Sequence, residues 1–145
     1  MEVKFKKVKP NAKIPTRGSN CAAGYDLYST NEIPVAINPG ETVKFETGIA
    51  AAFPDGCFGG ITARSGLSTK KGLRLANCLA VIDSDYRGEI SIFLHNDSNK
   101  IQTISPSERI AQLILFRYET MEFVEVNELN ETERGENGFG STGRN

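Results

Sequence analysis

Apolar and polar residues alternate in short runs along most of the chain, at residues 2–8, 35–37, 42–49, 58–63, 79–83, 89–95, 101–104, 110–118 and 123–126. A period of two sends successive side chains to opposite faces, so each run predicts a strand with one face turned to a core. Turn-forming groups separate the runs: Pro39-Gly40, Pro54-Asp55-Gly56, Arg87-Gly88, Asn96-Asp97-Ser98-Asn99 and Ser105-Pro106-Ser107. The helical period of 3.6 is sustained over three turns nowhere, and the one predicted helix is short, at residues 65–71. Many short strands joined by tight turns predict an all-β fold of the barrel or jelly-roll kind.

The alternation gives out near residue 131. Residues 131–145 are polar and rich in glycine, with Phe139 as the one large apolar side chain. The chain therefore divides into a predicted β domain over residues 1–130 and a predicted flexible C-terminal arm over 131–145.

Composition narrows the function. At 145 residues the chain suits one domain, which at that size buries about 68–70% of its unfolded surface. Hydrophobic residues make up 39% and charged residues 24%, in the ordinary globular range, and the formal net charge is −1. Lys and Arg are scattered and form no basic stripe, so a nucleic-acid polymer is not expected as a partner. A single small anion needs only a few placed cations and N–H groups, and remains open as a ligand. No run approaches the roughly 20 apolar residues of a membrane span. Residues 1–10 lack the apolar core and small-residue cleavage site of a secretory signal, so a cytoplasmic chain is expected. Cys21, Cys57 and Cys78 are odd in number and widely spaced, and are expected to be reduced and partly buried. With His95 as the sole histidine, His-rich zinc sites are excluded, and any hydrolysis must rest on carboxylates and a hard metal ion.

Five blocks carry candidate chemistry. Gly24-Tyr25-Asp26-Leu27 places an acid at a strand start. Arg64-Ser65-Gly66-Leu67 puts a guanidinium and a hydroxyl at a helix start, where phosphate could be gripped. Ile82-Asp83-Ser84-Asp85-Tyr86-Arg87-Gly88-Glu89 sets two acids and an aromatic between strands, and on its own also reads as a plain hairpin turn. Glu108-Arg109-Ile110-Ala111-Gln112-Leu113 carries Gln112 within an apolar strand. The tail's Gly138-Phe139-Gly140-Ser141-Thr142-Gly143 satisfies GxGxxG, but a dinucleotide fold needs a following helix, and only Arg144 and Asn145 follow. The tail also fails as a phosphate loop, because Ser141 stands where a lysine is required. What survives is simpler. Glycines let backbone N–H groups approach an anion, while Arg134, Ser141 and Thr142 add charge and hydroxyls. A frayed terminus is the alternative for the same segment.

Taken together and in this order, the five blocks, from Ala23 to Gly143, resemble the signature motifs of the trimeric dUTPase family. Ala63, Ala80 and Ser107 depart from that pattern, standing where relatives often have proline, glycine and glycine. The resemblance implies a jelly-roll-like β-barrel that forms a homotrimer, with each active site drawing on several subunits. It implies hydrolysis of dUTP to dUMP and diphosphate, with Asp83 as the general base for water attacking the α-phosphorus. Tyr86 would pack on the deoxyribose and reject a 2′-hydroxyl. The hairpin from Asn77 through Val81 to Asp83 would read uracil through backbone groups and the Asn77 amide. Arg64, Ser65, Gly66, Gln112, Arg134, Gly140, Ser141 and Thr142 would hold the triphosphate, and Phe139 would stack over the base. Mg2+ would ride on the phosphates, with Asp26 touching it through water. Two alternatives stand beside this reading: a dCTP deaminase or its bifunctional relative, and a non-catalytic nucleotide sensor. Asp83 with Tyr86 and a complete glycine-rich tail favour hydrolysis.

Overall fold

The computed structural model describes residues 1–138, and its regular structure is almost entirely antiparallel β. Twelve strands occur among the described residues: β1 Lys4–Lys7, β2 Thr16–Arg17, β3 Tyr25–Tyr28, β4 Val35–Ile37, β5 Thr42–Glu46, β6 Ile49–Ala52, β7 Cys57–Thr62, β8 Leu73–Leu75, β9 Ala80–Ile82, β10 Ser91–Asn96, β11 Gln102–Ile104 and β12 Arg109–Arg117. They form a five-stranded sheet in the order β2-β3-β12-β7-β9, a three-stranded sheet β5-β10-β8, and two pairs, β1-β6 and β4-β11. The sheets do not close into a continuous hydrogen-bonded barrel, and the arrangement is jelly-roll-like.

One core joins all four sheets. Leu27, Ile37, Phe45, Ile49, Ile61, Leu73, Leu75, Ile92, Leu94, Ile104 and Ile110 are buried together, the inward halves of the alternating runs. The long strand β12 is the spine of the large sheet, pairing with β3 on one side and β7 on the other.

The run expected over residues 42–49 is divided. Gly48 adopts φ 68°, and a Cβ there would stand 2.5 Å from that of Ala12. Thr47 donates its hydroxyl to Ile90 O at 2.7 Å, so the chain turns here and passes from one sheet to another. The alternating runs do not cover β2, β8 or the Ala50–Ala52 part of β6, a stretch of three consecutive alanines with no polar partner to mark a period. No strand forms over 123–126, where Phe123 is 88% exposed and the segment pairs with no strand among the described residues. The predicted helix forms over 65–71, Ser65 and Gly66 leading into the wide turn Leu67–Lys71, which Gly72 ends at φ 66°. Cys57 alone of the cysteines is buried; Cys21 and Cys78 are exposed, and all three are free thiols.

Candidate active site

The first cluster is built on β12. Gln112 lies opposite Asp26 of β3 and opposite Thr62 of β7, so the three form one row across the sheet. Its amide donates to Ala63 O at 3.2 Å. Gly24 makes room for it, since a Cβ at that position would lie 2.6 Å from Gln112 Oε1. Two residues beyond Thr62, Arg64 shares the same face, and its Nε forms an ion pair with Asp26 Oδ1 at 2.8 Å. Arg109 Nη1 donates to Asp26 Oδ2 at 3.2 Å. Asp26 is only 8% exposed, and both of its oxygens are engaged by guanidinium groups. The Thr62 hydroxyl is buried without a hydrogen-bond partner among the described residues.

Two guanidiniums around one carboxylate leave a net positive charge. With the Gln112 amide and the exposed Ser65 and Gly66 beside it, this is a donor-rich surface suited to phosphate oxygens. The departures are accommodated here. Ala63 keeps its carbonyl on Gln112, and Ser107 adopts φ 60°, a conformation that glycine enters without strain.

The second cluster lies where β9 leads into the acidic turn. A cleft of about 340 Å³ is lined by Lys44, Val81, Asp83, Tyr86, Glu89 and Phe93, among others. Asp83 is exposed at its edge. Tyr86 bonds back to the turn through its N–H to Asp83 O at 3.2 Å and its hydroxyl to Glu89 O at 3.2 Å. Its ring folds over Gly88, where any side chain would collide with it. Glu89 is occupied structurally, accepting the Gly48 N–H at 2.6 Å.

Upstream, the hairpin expected from Asn77 to Asp83 does not form, because β8 pairs with β10 and β9 with β7; Asn77 and Cys78, the latter at φ 56°, instead sit in the exposed turn that carries the chain from one sheet to the other. Arg74 Nη1 donates to Leu75 O at 3.1 Å and so braces the approach to that turn. Ala80 pairs with Ile61 and packs its methyl against the core, so this departure is absorbed as a packing contact.

Within one chain the two clusters do not meet. In the sheet Asp26 on β3 is three spacings from β9, roughly 14 Å at about 4.8 Å each, and Gln112 on β12 is two, while Arg64, Ser65 and Gly66 follow β7, the neighbour of β9. None of Asp26, Arg64, Ser65, Gly66, Asn77 and Gln112 lines the Asp83–Tyr86 cleft. Arg134 is exposed, its Nε donating to Asn137 O at 2.8 Å within its own turn. Phe139, Gly140, Ser141 and Thr142 lie outside the described residues. Among the described residues no group of three or more His, Cys, Asp or Glu could cage a metal ion, and no helix is long and apolar enough to cross a membrane.

Strict alternation does not find Arg109. Counting back from Gln112 puts Ile110 on the Asp26 face, but the register slips between Arg109 and Ala111, so that Arg109 faces Tyr28 and joins Asp26 and Gln112. A bulge of this kind carries no reliable signature in a single sequence.

A family model described as dUTPase matches residues 10–143. The chain belongs to the dUTPase family. It is 44% identical over 143 residues to the deoxyuridine 5'-triphosphate nucleotidohydrolase of Corynebacterium efficiens, covering 98% of this chain and 78% of that one. To its counterpart in Nautilia profundicola it is 44% identical over 144 residues, covering 99% and 100%. Among solved structures, a mutant dUTPase of Staphylococcus bacteriophage 80alpha with dUpNHpp superposes with a TM-score of 0.86 at 30% identity, covering 98% of both chains. A mutant dUTPase of phage phi11, described as coordinating a structural Mg(II) ion, superposes with a TM-score of 0.78 at 25% identity, covering 90% of this chain and all of that one.

Proposed function

We propose that this dUTPase hydrolyses dUTP to dUMP and diphosphate by attack of water on the α-phosphorus, lowering dUTP and supplying dUMP for thymidylate synthesis. The observation that carries the reading is the division of labour between the two clusters. A cationic, donor-rich surface at Arg64, Ser65, Gly66 and Gln112 suits the triphosphate, and a cleft holding Asp83 and Tyr86 suits the sugar and the water.

Asp83 is the general base: an exposed carboxylate at the cleft edge can accept the water's proton as the P–O bond forms, and closure of the site would strip it of competing solvent. Tyr86, with its ring fixed over Gly88 and its hydroxyl tied to Glu89 O, is a rigid wall for the deoxyribose. The turn carrying Asn77 and the adjoining strand β9 carrying Val81 would offer backbone groups to uracil. Cytosine, with its donor and acceptor pattern reversed, would leave buried groups unpaired at about 1–3 kcal/mol each. The arm's Arg134, Gly140, Ser141 and Thr142 would close over the phosphates, and Phe139 over the base.

Mg2+ is the metal that fits. The described residues offer it no cage, which suits an ion carried on substrate phosphates and keeping most of its waters. Asp26 is the carboxylate beside the phosphate-binding donors and would face that hydrated ion through water once Arg64 turns to the substrate. The metal would neutralise phosphate charge and polarise the α-phosphorus.

The active species is a homotrimer, each site combining the phosphate cluster of one subunit with the cleft of another. The separation of the clusters within one chain supports this. So do the exposed apolar side chains Val81, Phe93, Met121, Phe123, Val124 and Leu129, which the chain's own core does not cover. A cytoplasmic enzyme is consistent with the free thiols.

The route of attack is tested by hydrolysis in water labelled with 18O. Label in dUMP is expected; label in diphosphate alone would mean attack at the β-phosphorus and would remove Asp83 from the proposed role.

A further inference from the structure

We infer that Arg109 is a positioning residue for the triphosphate grip, acting through Asp26 on Arg64; the inference rests on the proposed dUTP hydrolysis. Three observations carry it. The bulge in β12 turns Arg109 onto the face of Asp26 and Gln112, where regular alternation would put Ile110. Bulges beside functional sites commonly re-aim one side chain in this way. Asp26 is buried and shared, with one oxygen to Arg64 at 2.8 Å and the other to Arg109 at 3.2 Å. The turn leading into Arg109 is pinned independently: Glu108 accepts the Ser105 N–H at 2.8 Å and pairs with Lys71 at 2.9 Å, and Ser107 holds a positive φ.

The consequence is electrostatic. A buried carboxylate cannot be left unpaired without a large penalty. If Arg64 were its only cation, Asp26 would hold that guanidinium back from phosphate oxygens. Arg109 supplies a second cation that stays on the carboxylate when Arg64 turns to the substrate, so the grip is released without stranding a charge. Arg109 itself need touch neither the substrate nor the reacting atoms.

The test is steady-state kinetics of the full-length protein with dUTP, alongside calorimetric binding of deoxyuridine, which lacks phosphates. Arg109→Gln is expected to raise KM for dUTP about tenfold while kcat changes less than about twofold, because a fixed loss of phosphate binding acts on ground and transition states alike. Arg109→Lys, which keeps a cation near Asp26, is expected to recover part of the loss. Deoxyuridine affinity should stay within about twofold of wild type in both. In the Asp26→Asn background, where no carboxylate holds Arg64 back, Arg109→Gln should add little, a coupling that a double-mutant cycle reads directly. An unchanged KM in Arg109→Gln, or a loss of deoxyuridine affinity as large as the loss for dUTP, overturns the inference while the functional reading stands. A wild-type protein without turnover of dUTP overturns the reading and the inference with it.

Discussion

Replacing Asp83 by asparagine keeps the side chain's volume at the cleft edge and removes its ability to accept a proton. The expected result is a kcat lower by about 10²–10⁴ with dUTP binding retained, measured by single-turnover kinetics beside calorimetry. Gly24→Ala tests the other cluster. Its methyl would collide with Gln112 Oε1, so Gln112 must swing away from Ala63, and a higher KM for dUTP should follow with a stability loss of about 1–3 kcal/mol. Away from both clusters, the Lys9–Glu46 pair sets a pH dependence. The hydrogen bond from Lys9 holds the Glu46 carboxyl below its ordinary value, and the same bond raises the Lys9 ammonium. The Glu46 contribution is therefore present at neutral pH and lost as pH falls through the carboxylate range. The Lys9 contribution is present at neutral pH and lost as the medium becomes strongly alkaline. Both side chains remain more than a third exposed, so solvent screens the pair, and Lys9→Met should alter Tm little at neutral pH and flatten its acid and alkaline limbs, as thermal melts across pH would record. At this scale Asp83, Tyr86, Arg64 and Gln112 are candidates legible in the sequence by residue type and order, whereas Arg109 is not, since its place depends on a one-residue slip in register.

Among the elements, the alternating runs at 35–37, 58–63, 101–104 and 110–118 survive as strands with small shifts at their ends, because each has one face in the common core. The run at 42–49 misleads, since its alternation continues across a change of sheet that only the left-handed Gly48 and the Thr47 hydroxyl reveal. The run at 123–126 misleads differently: its pattern asks for a pairing edge, and it pairs with no strand among the described residues. The arm over 131–145 remains a proposal. Arg134 is exposed and none of the arm's described residues joins the core, so a chain ending at Glu133 is expected to fold and assemble with Tm nearly unchanged. Its turnover of dUTP should fall steeply; an arginine supplied in comparable phosphoryl chemistry contributes about 10³–10⁵ in kcat. Wild-type kcat/KM in the truncated enzyme would mean that the arm is a frayed terminus.

At the scale of the whole molecule, the separation of the two clusters makes assembly a condition of activity. Light scattering should report three chains per particle. Mixing Asp83→Asn chains with chains ending at Glu133 should restore turnover that neither has alone, because some mixed sites would draw an intact base from one subunit and an intact arm from another. A fully active monomer would contradict shared sites. Oligomeric state was not legible from the residues except through resemblance, since a trimer interface and a buried core draw on the same apolar side chains. The central claim, that this assembly is a hydrolase selective for dUTP, is tested most directly by release of diphosphate from dUTP, dCTP, dTTP and UTP, each with and without magnesium. Rapid magnesium-dependent release from dUTP, with the other three lower by several orders of magnitude, is the predicted result. Release from dCTP or UTP at a rate matching dUTP, or no release from any of the four, would contradict it.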